Sequence, residues 1–341
     1  MSLISFDQAL GRAKKCKSVL LGNGFSIACS DVFNYRTLLA NASLEERLEL
    51  VFNELDTADF EIVINELESA ARLLRILQGH ENAVAVEFEE LSQSLRMQFA
   101  NSITNSHVQY DQVFQTRRIG SGLKATEQER TCFGFLQNFH QVFTTNYDLL
   151  LYWSIMKSFE PQYKSVSIPT NDGFTRAEDS PVFYQGGDAQ RVFYLHGSLF
   201  FQQDGLELIK RERDHEHGVN ILPIVAGDIE ENNMPLIVLE GESRNKLTKI
   251  SEHYYLERAI KSLEKLDGAL FIHGHSLDVT DQHIFDVISN SRVEQVFIST
   301  LSESLENEMF QRAVLRMGNK KNREFILYDA LSANVWDFNI L

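Results

Sequence analysis

Short apolar runs recur along the chain, and the spacing of polar residues between them changes character twice. The first run, Ser18-Val-Leu-Leu, ends on Gly22 and Gly24 and reads as a buried parallel strand followed by a tight turn. From residue 35 to about 105 the period lengthens. Residues 44–55, 60–77 and 85–103 place apolar side chains three and four apart, as amphipathic helices do, with Gly79 and Asn82 as punctuation. Strand-like runs return at 141–146, 191–195, 236–239, 269–273, 295–299 and 324–328. Helical segments at 147–158, 253–266 and 303–317 fall between several of them. The alternation predicts an α/β fold with a doubly wound, mostly parallel sheet of the Rossmann-like kind. Its domain would comprise 1–34 and 106–341, with an inserted helical subdomain at 35–105. Two polar stretches, 165–190 and 214–235, read as long loops, either lids or plain surface.

With 341 residues, 43% of them hydrophobic, the chain can bury a substantial core. A net charge of −16 opposes non-specific phosphate binding, so no nucleic-acid partner is expected. The basic runs, Lys14, Lys15 and Lys17 and then Arg316 to Arg323 with Lys320 and Lys321, read as solvated faces. The three cysteines, Cys16, Cys29 and Cys132, form no C-x-x-C pair, and their odd number argues against a disulfide framework. The first sixteen residues lack a signal peptide's apolar core, and no run of about 18 apolar residues exists. Cytoplasmic placement without a membrane partner is the expectation.

Five segments carry candidate chemistry, each following a predicted strand, where open parallel sheets bind ligands. Gly22-Asn23-Gly24-Phe25-Ser26 lets a backbone approach a phosphate, although Ile27 replaces the last glycine of a G-x-G-x-x-G turn. A plain strand-to-helix turn has the same composition. In Thr144-Thr145-Asn146-Tyr147-Asp148, Asn and Asp can hold ribose hydroxyls and a carboxamide, or cap the next helix. His196-Gly197-Ser198 offers a general base near neutral pH, or a satisfied histidine in a turn. His273-Gly274-His275-Ser276-Leu277, followed by Asp278 and Asp281, can cradle a nucleotide, with one histidine buried and the other exposed. Its His and Asp spacing matches no standard ligand set, and no metal is expected. Leu239-Glu240-Gly241-Glu242-Ser243 with Lys246 reads as a ligand contact or an ordinary loop.

Taken in order, these segments resemble the sirtuin-like superfamily, above all its compact bacterial branch associated with NAD depletion during phage infection. Gly22-Asn23-Gly24-Phe25-Ser26 is similar to the family's Gly-x-Gly-x-Ser turn, and Thr144-Thr145-Asn146-Tyr147-Asp148 to its Thr-x-Asn-x-Asp segment. His196-Gly197 resembles its His-Gly, and Gly274-His275-Ser276-Leu277 its late Gly-x-Ser-Leu. The resemblance runs from residue 18 to about 285. It implies that Gly22, Gly24 and Ser26, with Asn23 and Phe25 in the same turn, hold the NAD pyrophosphate. Asn146 would position the nicotinamide ribose and an attacking water, and Asp148 would orient the nicotinamide end. His196 would take a proton. Gly274 and Ser276 would line the adenosine side, with Thr145, Gly197 and His275 completing the binding set.

The activity so implied is NAD hydrolysis to nicotinamide and ADP-ribose, in antiphage defence by abortive infection. NAD would be the substrate and no metal would take part. Homo-oligomerisation, an ATPase or a phage-sensing partner would hold the activity in check. The usual carboxylate pair of glycoside hydrolysis does not stand out among the motifs. The missing four-cysteine zinc ribbon, and Asn23 and Phe25 where the deacylases favour small residues, weigh against NAD-dependent protein deacylation. The alternative is a non-catalytic module that senses NAD or ADP-ribose.

Overall fold

β1 (Lys17–Leu21) lies inside a sheet that also contains β2 (Gln141–Thr144), β3 (Val192–Tyr194), β4 (Asp267–His273), β5 (Arg292–Thr300) and β6 (Glu324–Asp329). The computed structural model describes residues 3–336 apart from 15, 115–116, 120–121, 125–126, 164–165, 177–180, 184–188, 206, 213–220 and 319–322. Among the described residues these six strands pair in the order β6-β5-β4-β1-β2-β3, every pair parallel. Counted from β3 the order is that of doubly wound nucleotide-binding sheets. The chain winds outward from β1 to β3, then crosses back to β4 on the other side of β1. The switch point therefore lies between β1 and β4, and a crevice opens beyond their carboxyl ends. Both faces of the sheet are covered, so the strands read as continuous apolar runs rather than alternating ones.

The switch point is closed by backbone. Beyond β1, α1 (Asn23–Ile27) is a single short turn of helix. The Gly24 amide donates to the Gly274 carbonyl at 2.7 Å, and the Gly22 amide to that of His273 at 2.9 Å. A Cβ on Gly24 would stand 2.6 Å from the Gly274 Cα. Gly274 itself has φ of +70°, and a Cβ there would lie 2.5 Å from the Phe25 nitrogen. What these glycines admit is each other's backbone, which sets the loops after β1 and β4 side by side.

Between β1 and β2 the chain forms α2 (Tyr35–Asn41), a helix at Glu46–Glu54, α3 (Phe60–Gln78) and α4 (Ala83–Ser106). The Asp59 carboxylate caps α3 through the Glu61 amide, and the helix stops at Gly79, whose φ is +100°. Asn82 then caps α4 through the Ala85 amide. Phe60 of α3 meets Phe99 of α4 with ring centroids 4.9 Å apart, and Phe99 meets Tyr147 beyond β2 at 5.9 Å. The helices and the sheet share one hydrophobic cluster.

Three readings need correction. Residues 236–239 add no strand to the sheet. The run crosses the His196-Gly197 turn, bridging Gly197 to Ile237, with Ser198 donating to Leu236 and Val238 to His196. Its apolar content reflects burial over a strand end. The stretch 214–235 contains a helix at Ile221–Glu230, and 165–190 contains paired strands at Phe174–Arg176 and Pro181–Phe183. The remainder of both stretches lies partly outside the described residues, as do Lys15, Lys320 and Lys321. Arg323 is not solvated but buried, donating to the carbonyls of Ile288 and Val293. No helix among the described residues is long and apolar enough to cross a membrane.

The backbone contact predicts that Gly274→Ala lowers stability by at least about 1–2 kcal/mol through its left-handed φ alone. Gly11→Ala, whose Cβ would meet nothing within 4 Å on a helix, should be neutral or stabilising. Urea midpoints of the two variants test this, and equal midpoints would contradict it.

Candidate functional site

A cavity of about 680 Å³ occupies the crevice at the switch point. One of its buried polar groups is Asn146, just beyond β2. The Thr144 hydroxyl fixes the turn by accepting from the Asn146 amide at 3.0 Å. The Asn146 side chain donates to the Gly22 carbonyl at 3.1 Å and to Ser26 Oγ at 2.9 Å. Ser26 in turn donates to Asp148 Oδ2 at 2.5 Å, and Asp148 Oδ1 accepts from the Leu150 amide at 2.8 Å. Asp148 is thus both a helix cap and part of the cavity wall. Burial pushes its carboxyl upward, and the bonds from Ser26 and Leu150 oppose the shift. Both amide hydrogens of Asn146 are spent on the glycine turn. Its Oδ1 is buried with no donor among the described residues, a condition that costs about 1–3 kcal/mol in a closed protein. Asn146 belongs to the cavity wall, and its Oδ1 remains an unused acceptor.

The second polar cluster lies across the cavity. His196 follows β3 and is 2% exposed. Its Nε2 is 3.1 Å from Nε2 of His283 in α6 (Gln282–Asn290) and 3.8 Å from Oδ1 of Asp281. One imidazole of the pair donates and the other accepts. Burial holds His196 well below its ordinary value and His283 down to about 4, so both are neutral at physiological pH. His275 Nδ1 accepts from the Leu277 amide at 3.0 Å, which leaves its proton on Nε2, 3.3 Å from Asp281 Oδ2.

Lys246 of α5 (Ser243–Ser251) reaches Asp281 at 2.8 Å and Glu61 of α3 at 2.6 Å. Glu61 Oε1 also meets the Tyr147 hydroxyl at 2.9 Å. Burial opposes the Lys246 charge, but Glu61 and Asp281 raise its pKa. Burial likewise opposes ionisation of Asp281, yet Lys246 and the neighbouring imidazoles hold it well below the usual carboxylate range. Burial, aided by Glu61, lifts Asp59 to about 7.

The wall contains Asn23, Gly24, Thr145, Asn146, Asp148, His196, Gly274, His275 and Ser276. Gly22, Phe25, Ser26 and Gly197 sit behind it. Phe25 packs on Trp336 with centroids 5.3 Å apart, and Gly197 lies against Leu236. His273 and His275 are both buried, against the expectation that one is exposed. Each has its own partners beyond the strand end: Tyr328 for His273, and Asp281 and Phe285 for His275. Carboxylates, absent from the motif reading as a pair, are abundant here. Asp59, Glu61, Asp148, Asp278 and Asp281 line the cavity with Lys246 as the one ammonium among the described residues. Glu61 and Asp59 come from a segment read as plain helix core, and no spacing rule ties them to a strand end. His283 had one faint signal, its place two residues after Asp281.

Residues 19–336 match the model of a protein family described as a domain of unknown function, DUF4917. No curated protein matches the chain.

Lys246→Met should destabilise by about 3–5 kcal/mol, because two carboxylates lose their shared counter-charge. Adding Glu61→Gln should recover part of the loss in urea unfolding, and a Lys246→Met variant as stable as wild type would contradict the buried pair.

Stability should also fall in acid. His107, His273 and His283, each held at about 4 chiefly by burial, bind protons more readily in the unfolded chain. Stability is full above pH ~6.5 and drops roughly 1.4 kcal/mol per pH unit per group down to about 4. His107→Gln should flatten the urea-derived slope by one group, and an unchanged slope would count against it.

Proposed function

We propose that this chain, which belongs to the DUF4917 family, binds NAD in the crevice between β1 and β4 and hydrolyses its nicotinamide–ribose bond. The observation that carries the reading is Asn146, a wall residue with a buried, unpaired Oδ1, in a cavity of about 680 Å³ at the switch point of a doubly wound parallel sheet. The acidic wall adds to it. The nicotinamide ring of NAD is cationic, and the transition state of its release puts positive charge on the ribose. Carboxyl groups outnumber the one ammonium on the described wall, and those that are ionised, Asp281 above all, favour both charges.

In this reaction the C1′–N bond breaks and its electron pair neutralises the pyridinium nitrogen of the departing nicotinamide. A water oxygen bonds to C1′ and its proton leaves for a base. Asn146 Oδ1 would hold the water or a ribose hydroxyl in line. His196, neutral and buried beside the cavity, is the candidate base. The glycine turn would meet the pyrophosphate through whatever backbone donors the contact with Gly274 leaves available. The helices at 35–105 would act as an inserted subdomain that carries Tyr35, Asp59 and Glu61 to the site. Through that layer an oligomeric contact or a partner protein could restrain NAD depletion until infection, as the sirtuin-like resemblance suggests.

A second reading has its own support. His196 Nε2 is already engaged by His283 at 3.1 Å, which suits a module that binds NAD or ADP-ribose without turnover. Chromatographic assay of nicotinamide released from NAD by the purified chain separates the two. Release that falls at least about 100-fold in Asn146→Ala, with far-UV circular dichroism unchanged, supports hydrolysis. Calorimetric binding without release supports the sensor, and neither binding nor release removes both.

A further inference from the structure

We infer that His196, His283 and Asp281 form a binding site for a divalent transition-metal ion at the edge of the cavity, which His196 and Asp281 line. Their donor atoms, His196 Nε2, His283 Nε2 and an Asp281 carboxylate oxygen, all lie within 4.8 Å of one another. A tetrahedral ion with bonds of about 2.0–2.1 Å holds its donors roughly 3.3 Å apart. The two imidazole nitrogens are 3.1 Å apart, and His196 Nε2 is 3.8 Å from Asp281 Oδ1. An ion that takes the place of the proton shared by the two rings fits the imidazole pair as it stands and draws the Asp281 oxygen inward.

The surroundings are those of a ligand set. Metal-binding imidazoles usually engage a fixed group through their second nitrogen. His283 Nδ1 is 3.2 Å from Ser243 Oγ, which also accepts the His283 backbone amide at 2.7 Å. Asp281 is oriented from both sides, Oδ2 by His275 at 3.3 Å and Oδ1 by Lys246 at 2.8 Å. The Lys246 ammonium repels a cation, but Glu61 holds it at 2.6 Å, so the buried group has two carboxylates for one ammonium. One negative charge stands unmatched, and it offsets half the charge of a divalent ion.

Two imidazoles select a transition metal such as zinc over magnesium or calcium, which take oxygen ligands. Of the three protein ligands, His196 and Asp281 line the cavity, and a tetrahedral ion held by three ligands keeps one position for water or a ligand. The trio is invisible to spacing rules because Asp281-x-His283 meets a histidine from the end of another strand, 87 positions away.

The inference competes with the nucleotide reading for one atom, the His196 Nε2 given there to the base, but its test reads metal retention and does not rest on that reading. The test uses untagged full-length protein, treated with a chelator and then dialysed against zinc or cobalt(II). The expected result is about one ion retained per chain, with a visible cobalt absorption band and a raised melting temperature in zinc. His283→Gln, which preserves ring-sized packing and polarity, and Asp281→Asn should each lose the ion and both signals while far-UV circular dichroism is maintained. A folded wild-type chain that retains no ion, or a His283→Gln variant that retains it undiminished, overturns the site and leaves the His196–His283 contact as a plain hydrogen bond. Nicotinamide release from the same samples keeps the two ideas apart. An ion bound without release leaves the metal site standing and counts against hydrolysis, and release by protein that holds no metal does the reverse.

Discussion

An ammonium group with 2% of its surface exposed must be met by charge, and Lys246 is met from two directions. Glu61 comes from the helical layer and Asp281 from the segment that leads into α6. The three residues belong to parts of the chain that sequence alone does not connect, and their electrostatics forbids any one of them to leave without the others. Desolvation of each charge is severe, so removal of one partner is far more damaging than replacement of the whole set by apolar groups. The helices between β1 and β2 are therefore tied to the ligand face of the sheet by a polar contact as well as by the Phe60–Phe99–Tyr147 packing. Tyr147 belongs to both ties, since its ring packs on Phe99 and its hydroxyl meets Glu61.

The floor of the cavity depends on a different economy of space. Gly24 and Gly274 bring two loops into backbone contact, and Asn146 then spans them by donating to Gly22 and Ser26. The result is a chain of hydrogen bonds from the glycine turn through Ser26 to Asp148 and the start of the next helix. Every donor in that chain is used. The one acceptor left over, Asn146 Oδ1, is a rigid group whose unmet hydrogen bond is already counted against the closed protein. A ligand that supplies the donor recovers this without ordering a flexible side chain, the condition under which a polar contact contributes most to binding.

Much of this was legible before any coordinates. Buried parallel strands are continuous apolar runs, so all six strands, β1 to β6, could be read directly, and Gly79 and Asn82 marked the break between α3 and α4. The motif residues at the strand ends do converge, because a parallel sheet places every carboxyl end on one edge. What stayed hidden follows from the same physics. An apolar run such as 236–239 signals burial but not pairing, and a segment crossing over a strand end is as buried as a strand. The helix at Ile221–Glu230 was masked by the polar composition around it. Glu61 carries no local signature, since a buried charge is justified by partners distant in sequence, while Lys246 stood out only as a neighbour of the 239–243 segment and His283 only by its place two residues after Asp281. The glycine turn was read as an approach for phosphate, and its demonstrable function is to let two loops touch.

The chemistry of the site turns on a single atom. His196 Nε2 faces His283 and Asp281, and an imidazole nitrogen has one lone pair. If that lone pair binds an ion, it cannot accept a proton from water or ribose, and the nucleophile of the proposed hydrolysis would have to be a water held at the ion's open position. If it accepts a hydrogen bond from His283, proton uptake by His196 must displace that bond. The imidazolium so formed would lie beside Asp281, whose charge offsets part of the cost of burying it. The two arrangements make opposite demands on Asp281: as a ligand it must turn toward the ring nitrogens, and as a counter-charge it can remain with Lys246 and His275. Lys246 therefore sets the balance between them. It holds Asp281 ionised in either case, and the firmness of its grip on Oδ1 governs whether that oxygen is free to complete a metal site.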